Sequence, residues 1–199
     1  MPWVSESKAN VIPLGVNEDK LKKHKNLKKK ENSILYASSP DRGLLSLLRD
    51  WSKLKDKGYS LNVAYSFDIL NKIAEQNPNI QQQVDELYEL MKQDGIEYLG
   101  SLNENNINKQ YAKSEYWILP LQLPESELFC LNAVKSRYFG CKSIVNLRGA
   151  LKETVGDYID YSDFLTKGTK EVVRHEPTFS AQDWSEVVKE YWIKLLGEK

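Results

Sequence analysis

Apolar positions along this chain follow two alternating periods. Five short runs rich in branched or aromatic side chains, at 33–37, 61–65, 96–99, 116–119 and 143–146, have the length and composition of buried strands. Between them apolar residues recur at helical spacing. Leu44, Leu45, Leu47, Leu48, Trp51 and Leu54 form one such face, and Val84, Leu87, Tyr88 and Met91 a second. Leu128, Leu131, Val134, Tyr138 and Phe139 form a third, and Gly95 and Gly140 supply stop signals for the last two. Strands alternating with helices predict a single α/β Rossmann-like domain, a parallel sheet of about five to six strands with helices on both faces. Residues 1–30 read as a linker and basic lead-in, and 31–199 as the domain with a closing C-terminal helix.

In such sheets ligands bind beyond the carboxyl ends of the strands, so the residues after each run are the candidates for chemistry. The first of these loops, "SSPDRG", combines Ser38, Ser39 and Asp41 as turn formers with Arg42 and Gly43, directly before a helix. A planar guanidinium pairs bidentately with phosphate oxygens, and a glycine lets backbone approach closely. The loop therefore suits a phosphate or diphosphate; an Arg-Asp pair that caps the helix is the other reading. The Gly-x-Gly-x-x-Gly of dinucleotide oxidoreductases and the Gly-x-x-x-x-Gly-Lys-Ser/Thr of phosphate-loop hydrolases are both absent from the sequence, which disfavours those classes.

Composition narrows the field further. The chain has 199 residues, 41% hydrophobic and 28% charged, with 28 basic side chains against 28 acidic. This leaves no net field for nucleic acid or anionic membrane, and recognition falls to specific clefts. Seven lysines between Lys20 and Lys30 lack interleaved aromatics to stack on bases, so that stretch reads as a solvated loop and no nucleic-acid partner is expected. Cys130 and Cys141 lie in apolar segments as buried thiols, and His24 and His175 have no companion for a metal site. The polar amino terminus "MPWVSESKAN" is no signal peptide and no transmembrane segment is expected, so the default location is cytoplasmic.

Several segments in order carry a family resemblance: "VIPLGVN", "YASSPDRGLLSLLRDW", "IEYLGSLNENNINKQYAKSEYWILP", "GCKSIVNLRGALKETVGD" and "FSAQDWSEVVKEYWIKLL". Together they resemble the carboxyl-terminal, donor-binding lobe of retaining glycosyltransferases of the two-Rossmann-lobe (GT-B) architecture, with Arg42-Gly43 where many members have Lys-Gly and Leu14 where Asn is usual. The resemblance implies a nucleotide-diphosphate sugar as donor, no separate cofactor or metal, and hexosyl transfer with retention. It also implies an amino-terminal acceptor lobe. Because "MPWVSESKANVIPLGVN" is expected to begin at the interlobe linker, that lobe is expected to come from another chain, a homo-oligomer, or nowhere.

The same resemblance assigns site residues. Ser39, Arg42 and Gly43 hold phosphate; Glu127, the catalytic-region residue, contacts the transferred sugar from a helix start; amides of Leu128, Phe129 and Cys130 bind the diphosphate; and Leu102 holds the base through its backbone. Arg42 and the helix start near Glu127 are expected to converge on one pyrophosphate-sized hollow. A second glutamate, eight residues after the first, normally accepts hydrogen bonds from the ribose hydroxyls, and here that position is Lys135. An ammonium only donates, so the exchange costs on the order of 1.5–3 kcal/mol, roughly ten- to a hundredfold in affinity. Lys135 reaches a phosphate instead, or faces solvent. Starting the count at Glu125 places Ala133 second and restores nothing. The alternative to a transferase is a degenerate lobe that binds or scaffolds.

Overall fold

The computed structural model describes residues 10–122 and 127–197. Six parallel strands form one sheet in the order β3-β2-β1-β4-β5-β6. They are β1 (Lys30–Tyr36), β2 (Ser60–Val63), β3 (Ile96–Tyr98), β4 (Ser114–Leu119), β5 (Lys142–Val145) and β6 (Tyr158–Asp160). In the two central strands Ile34, Leu35, Tyr36, Trp117, Ile118 and Leu119 are all buried, because helices cover both faces and every side chain points into a core. The edge strand β3 is largely exposed.

The helices follow from right-handed crossovers. Moving outward from β1 to β3 the chain passes through α2 (Leu44–Arg49), α3 (Trp51–Lys55), α4 (Asp68–Ala74) and α5 (Pro78–Leu90). It then returns through α6 (Glu104–Lys113) to β4 and moves the other way through α7 (Leu131–Tyr138) and α8 (Leu151–Thr154). Reversing direction with a fixed handedness puts the second set on the opposite face. Accordingly α2 packs on α5, while α6 packs on α7 and α7 on α8. The reversal falls between β1 and β4, where a crevice opens at the strand ends.

Two expectations change, and a third element gains a direction. The apolar stretch from Leu44 to Leu54 forms two helices joined at Asp50, whose carboxylate accepts a hydrogen bond from the Tyr161 hydroxyl (3.3 Å). The lysine-rich lead-in is not all solvated loop: α1 (Glu18–Lys22) is capped by Asn17, and Leu21 is fully buried against the core. Just ahead of it Val16 pairs with the segment before the C-terminal helix, Val16 N–H donating to Gln182 O (2.9 Å) and Trp184 N–H to Val16 O (3.1 Å). A Cβ on Gly15 would lie 2.8 Å from the Trp184 ring, so this crossing admits glycine alone. Finally, the closing helix (184–196) turns its tryptophans outward: Val187 is buried, whereas Trp184, Val188 and Trp192 are each more than 40% exposed.

Candidate functional site

The turn after β1 is folded by its own hydrogen bonds. Ser39 O accepts from both the Tyr36 hydroxyl (2.6 Å) and the Arg42 N–H (2.9 Å), and Pro40 O from the Leu44 N–H (3.3 Å). Gly43 sits at φ +86°, and a Cβ there would come within 2.2 Å of Pro120 O. The end of β4 therefore lies directly against this glycine. Its lack of a side chain lets the two central strand ends close together.

That closure aims Arg42 across the crevice. Its Nη1 lies 3.4 Å from Glu127 Oε1 and its Nε 3.9 Å from Asp41 Oδ2. The Glu127 side chain is only 15% exposed and Arg42 32%. Burial pushes the Glu127 carboxyl above its ordinary range, the Arg42 guanidinium pulls it back down, and Asp41 adds a smaller upward push. The Glu127 carbonyl accepts from the Ala150 N–H (2.9 Å), so loops after β1, β4 and β5 meet at this pair. Arg42 and Glu127 do converge, but on each other.

The start of α7 departs from expectation. Cys130 is the N-cap, its carbonyl accepting from the Ala133 and Val134 N–H groups, so the helix proper begins at Leu131. Glu127, Leu128 and Phe129 precede it in the loop. Leu128 is 96% exposed and Phe129 packs on Phe179 (5.8 Å between centroids). The earlier start counted Leu128 into the helical period, yet an apolar residue need not face the core. Pro124 and Glu125 lie outside the described residues. Burial pushes the Cys130 thiol up to about 12, so it is an inert core thiol. Asn132, which no sequence period marks, donates from Nδ2 to Ala37 O (2.6 Å) and ties the first turn of α7 to the end of β1.

On the β2 side of this junction a cleft of about 480 Å³ opens over the ends of β1, β2 and β3. Ala37, Ala64, Tyr65, Ser66, Leu102 and Ile107 are among its walls. Leu102, expected to hold a base, lines this cleft. On the α2–α5 side a second hollow of about 450 Å³ is bounded by Asp41, Gly43, Ser46, Arg49 and Gln122 among others.

Lys135 is partly buried and has Glu104 and Lys20 as its charged neighbours. It lies on α7 opposite the first turn of α6; burial pushes its ammonium down, Glu104 holds it up, and Lys20 pushes it down again. Glu104 is itself ion-paired with Lys20 of α1. The position that carries a carboxylate in the resembled family here belongs to a Lys20–Glu104–Lys135 charge cluster, two residues beyond Leu102. Among the described residues no group of three His, Cys, Asp or Glu side chains could hold a metal ion.

No protein-family model and no curated protein matches this chain. Solved structures do. AviGT4, a glycosyltransferase involved in avilamycin A biosynthesis, superimposes with a TM-score of 0.63 at 14% identity, over 96% of this chain and 59% of its own. A glycosyltransferase from Rickettsia africae gives a TM-score of 0.55 at 24% identity, over 73% of this chain and 40% of its own. Anabaena HepE, solved with UDP and glucose, gives 0.51 at 13% identity, over 74% of this chain and 40% of its own. The chain thus spans between 40% and 59% of the length of these structures. The likeness shows the fold: a single Rossmann-like domain of the kind that makes up part of these glycosyltransferase structures.

Proposed function

We propose that this chain is the donor-binding lobe of a glycosyltransferase, taking a hexosyl group from a nucleotide-diphosphate sugar to an acceptor with retention. The observation that carries this reading is the meeting of Arg42 and Glu127 at the β1–β4 reversal, beside a cleft large enough for a nucleoside. The Anabaena neighbour of the same fold was solved with UDP and glucose, which supports a nucleotide-sugar ligand here.

The nucleoside occupies the cleft over Ala37 and Leu102. Its diphosphate takes the Arg42 guanidinium away from Glu127, and the released carboxylate accepts hydrogen bonds from the sugar hydroxyls. The bond between the anomeric carbon and the β-phosphate oxygen breaks, the bond to the acceptor oxygen forms on the same face, and the acceptor proton leaves on the departing diphosphate. Arg42 stabilises that leaving group, and the loops fix its orientation. Retention rests on the sequence resemblance.

The acceptor belongs to a second lobe. Support comes from the exposed apolar stripe of Trp184, Val188 and Trp192, a surface suited to burial against another body, whether a complementary lobe or a second copy. Among the described residues no helix is long and apolar enough to cross a membrane. Two free thiols suit a reducing compartment, so we place the protein in the cytoplasm.

Calorimetric titration with UDP, GDP and ADP tests the reading. Heat with at least one is expected; no heat with any of the three, from a folded sample, overturns it. That silent result is what the second reading, a degenerate binding or scaffolding lobe, requires, and the ammonium of Lys135 at the ribose position is what favours it.

A further inference from the structure

We infer that the cleft selects guanine, with Asp68 as the residue that reads the base. This rests on the nucleotide-donor reading above and names the donor class, a guanosine-diphosphate sugar. The cleft is walled by apolar side chains and by the hydroxyls of Ser66 and Ser101, and Asp68 is the one charged side chain among its lining residues. Ala37, at the end of β1, is shared by the cleft and by the turn that carries Arg42. A nucleoside lying there with its 5′ oxygen towards Arg42 therefore directs its base to the outer walls at Leu102, Ser66 and Asp68.

The Asp68 carboxylate is poised to accept. Among the described residues no lysine or arginine forms an ion pair with it. Its N–H donates to Ser66 Oγ (3.1 Å), which leaves the Ser66 hydroxyl proton to be donated elsewhere. The loop is also fixed in place: Phe67 is buried and stacks on Tyr98 (4.7 Å between centroids), and the Tyr98 hydroxyl donates to Tyr65 O (3.0 Å). The exposed Tyr65 ring beside it offers a face for stacking.

An ionised carboxylate only accepts, and of the four common bases guanine alone offers two adjacent donors, N1–H and N2–H₂, with O6 beside them for a serine hydroxyl. Uracil offers one N–H flanked by two carbonyl oxygens, which the carboxylate repels. Adenine and cytosine each place a bare ring nitrogen next to their amino group. A helix-start acid with no ligand role would be indifferent to all of these, so base preference separates the two.

The test is calorimetry on the full chain with GDP, UDP, ADP, CDP and inosine diphosphate, which lacks only the 2-amino group. GDP is expected to bind roughly ten- to a hundredfold more tightly than UDP, ADP or CDP, with inosine diphosphate between. Asp68→Asn should abolish the preference, lowering GDP affinity while relieving the repulsion of uracil, and leave the melting temperature unchanged. Equal affinities across the nucleotides overturn the inference and leave the donor reading standing. So does a GDP preference that Asp68→Asn does not alter, or inosine diphosphate binding as well as GDP, a comparison that needs no variant. Silence with every nucleotide overturns the donor reading itself.

Discussion

At one end of the candidate site Arg42 and Glu127 satisfy each other across 3.4 Å, whereas at the other a cleft of about 480 Å³ stands open between Ala37, Tyr65 and Leu102. The two ends therefore meet a ligand differently. On the donor reading proposed above, the nucleoside end is preformed, and binding there exchanges water for apolar walls and a few fixed hydrogen-bonding groups. The diphosphate end must first give up an internal ion pair, so a phosphate gains only the difference between its own contact with Arg42 and that of Glu127. On that reading, the contrast makes base recognition a matter of rigid geometry and phosphate recognition a matter of competition.

The largest expected effect comes from the residue that holds the two ends together. Gly43→Ala puts a Cβ within 2.2 Å of Pro120 O at a φ of +86°, so either the turn or the end of β4 must shift. A loss on the order of 3 kcal/mol is expected from the backbone conformation and the clash combined. Chemical denaturation measures it. A variant as stable as the parent would mean that the turn and β4 do not approach as described, and the crevice between them would lose its basis.

Next comes the competition itself. Arg42→Ala should weaken nucleoside diphosphates roughly ten- to a hundredfold, the value of a lost charge-assisted pair. Glu127→Gln should do the opposite for binding, because the guanidinium is released, while sugar transfer falls. Nucleotide affinity should also rise as pH drops through the raised Glu127 pKa, where protonation frees Arg42, and Glu127→Gln should flatten this dependence; Asp41 and Cys130 are the other titratable groups at hand. Stability has the matching sign. A carboxyl whose pKa is higher folded than unfolded binds more protons when folded, so its contribution diminishes as pH rises from the ordinary glutamate value through the raised one. Affinity of Glu127→Gln below that of the parent would show that the ion pair does not compete with phosphate.

Legibility in the sequence followed burial. Central strands such as β1 stood out because both faces are apolar, whereas β6, three residues with an aspartate at its end, carries no period to read. Helix α4 turns Ile69 and Ile73 outward and α6 buries Asn108, so neither shows the apolar stripe that marks an amphipathic helix. Leu21, with the partly buried Leu27, anchors the lysine-rich lead-in, too few apolar positions to outweigh their charged neighbours. Around the candidate site, Arg42, Glu127 and Leu102 could be marked from the sequence because they follow strand ends or match segments of the resembled family. Asp68 and Asn132 could not, since what distinguishes them is a wall or a carbonyl contributed by a distant strand, a relation that local spacing does not encode.

The smallest expected effect sharpens the nucleoside end. Taken from the sequence alone, Lys135→Glu restores a ribose-binding carboxylate and should tighten nucleotide binding. In the folded chain it also sets a second carboxylate opposite Glu104, which already pairs with Lys20. Like charges facing each other across α6 and α7 offset the gain, so the single variant is expected to lose about 1 kcal/mol of stability and to change affinity little. Pairing it with Glu104→Gln removes the conflict, and the double variant should bind GDP or UDP several-fold more tightly than Glu104→Gln alone. The 2′-deoxy nucleotides serve as the control, because a carboxylate that accepts from the ribose diol cannot distinguish the variants once one hydroxyl is gone. Equal tightening for ribo and deoxy forms would trace the effect to charge around the α6–α7 contact. No tightening in the double variant would mean that the ribose does not lie against α7, and that the open cleft orients its nucleoside from the β2 and β3 side alone.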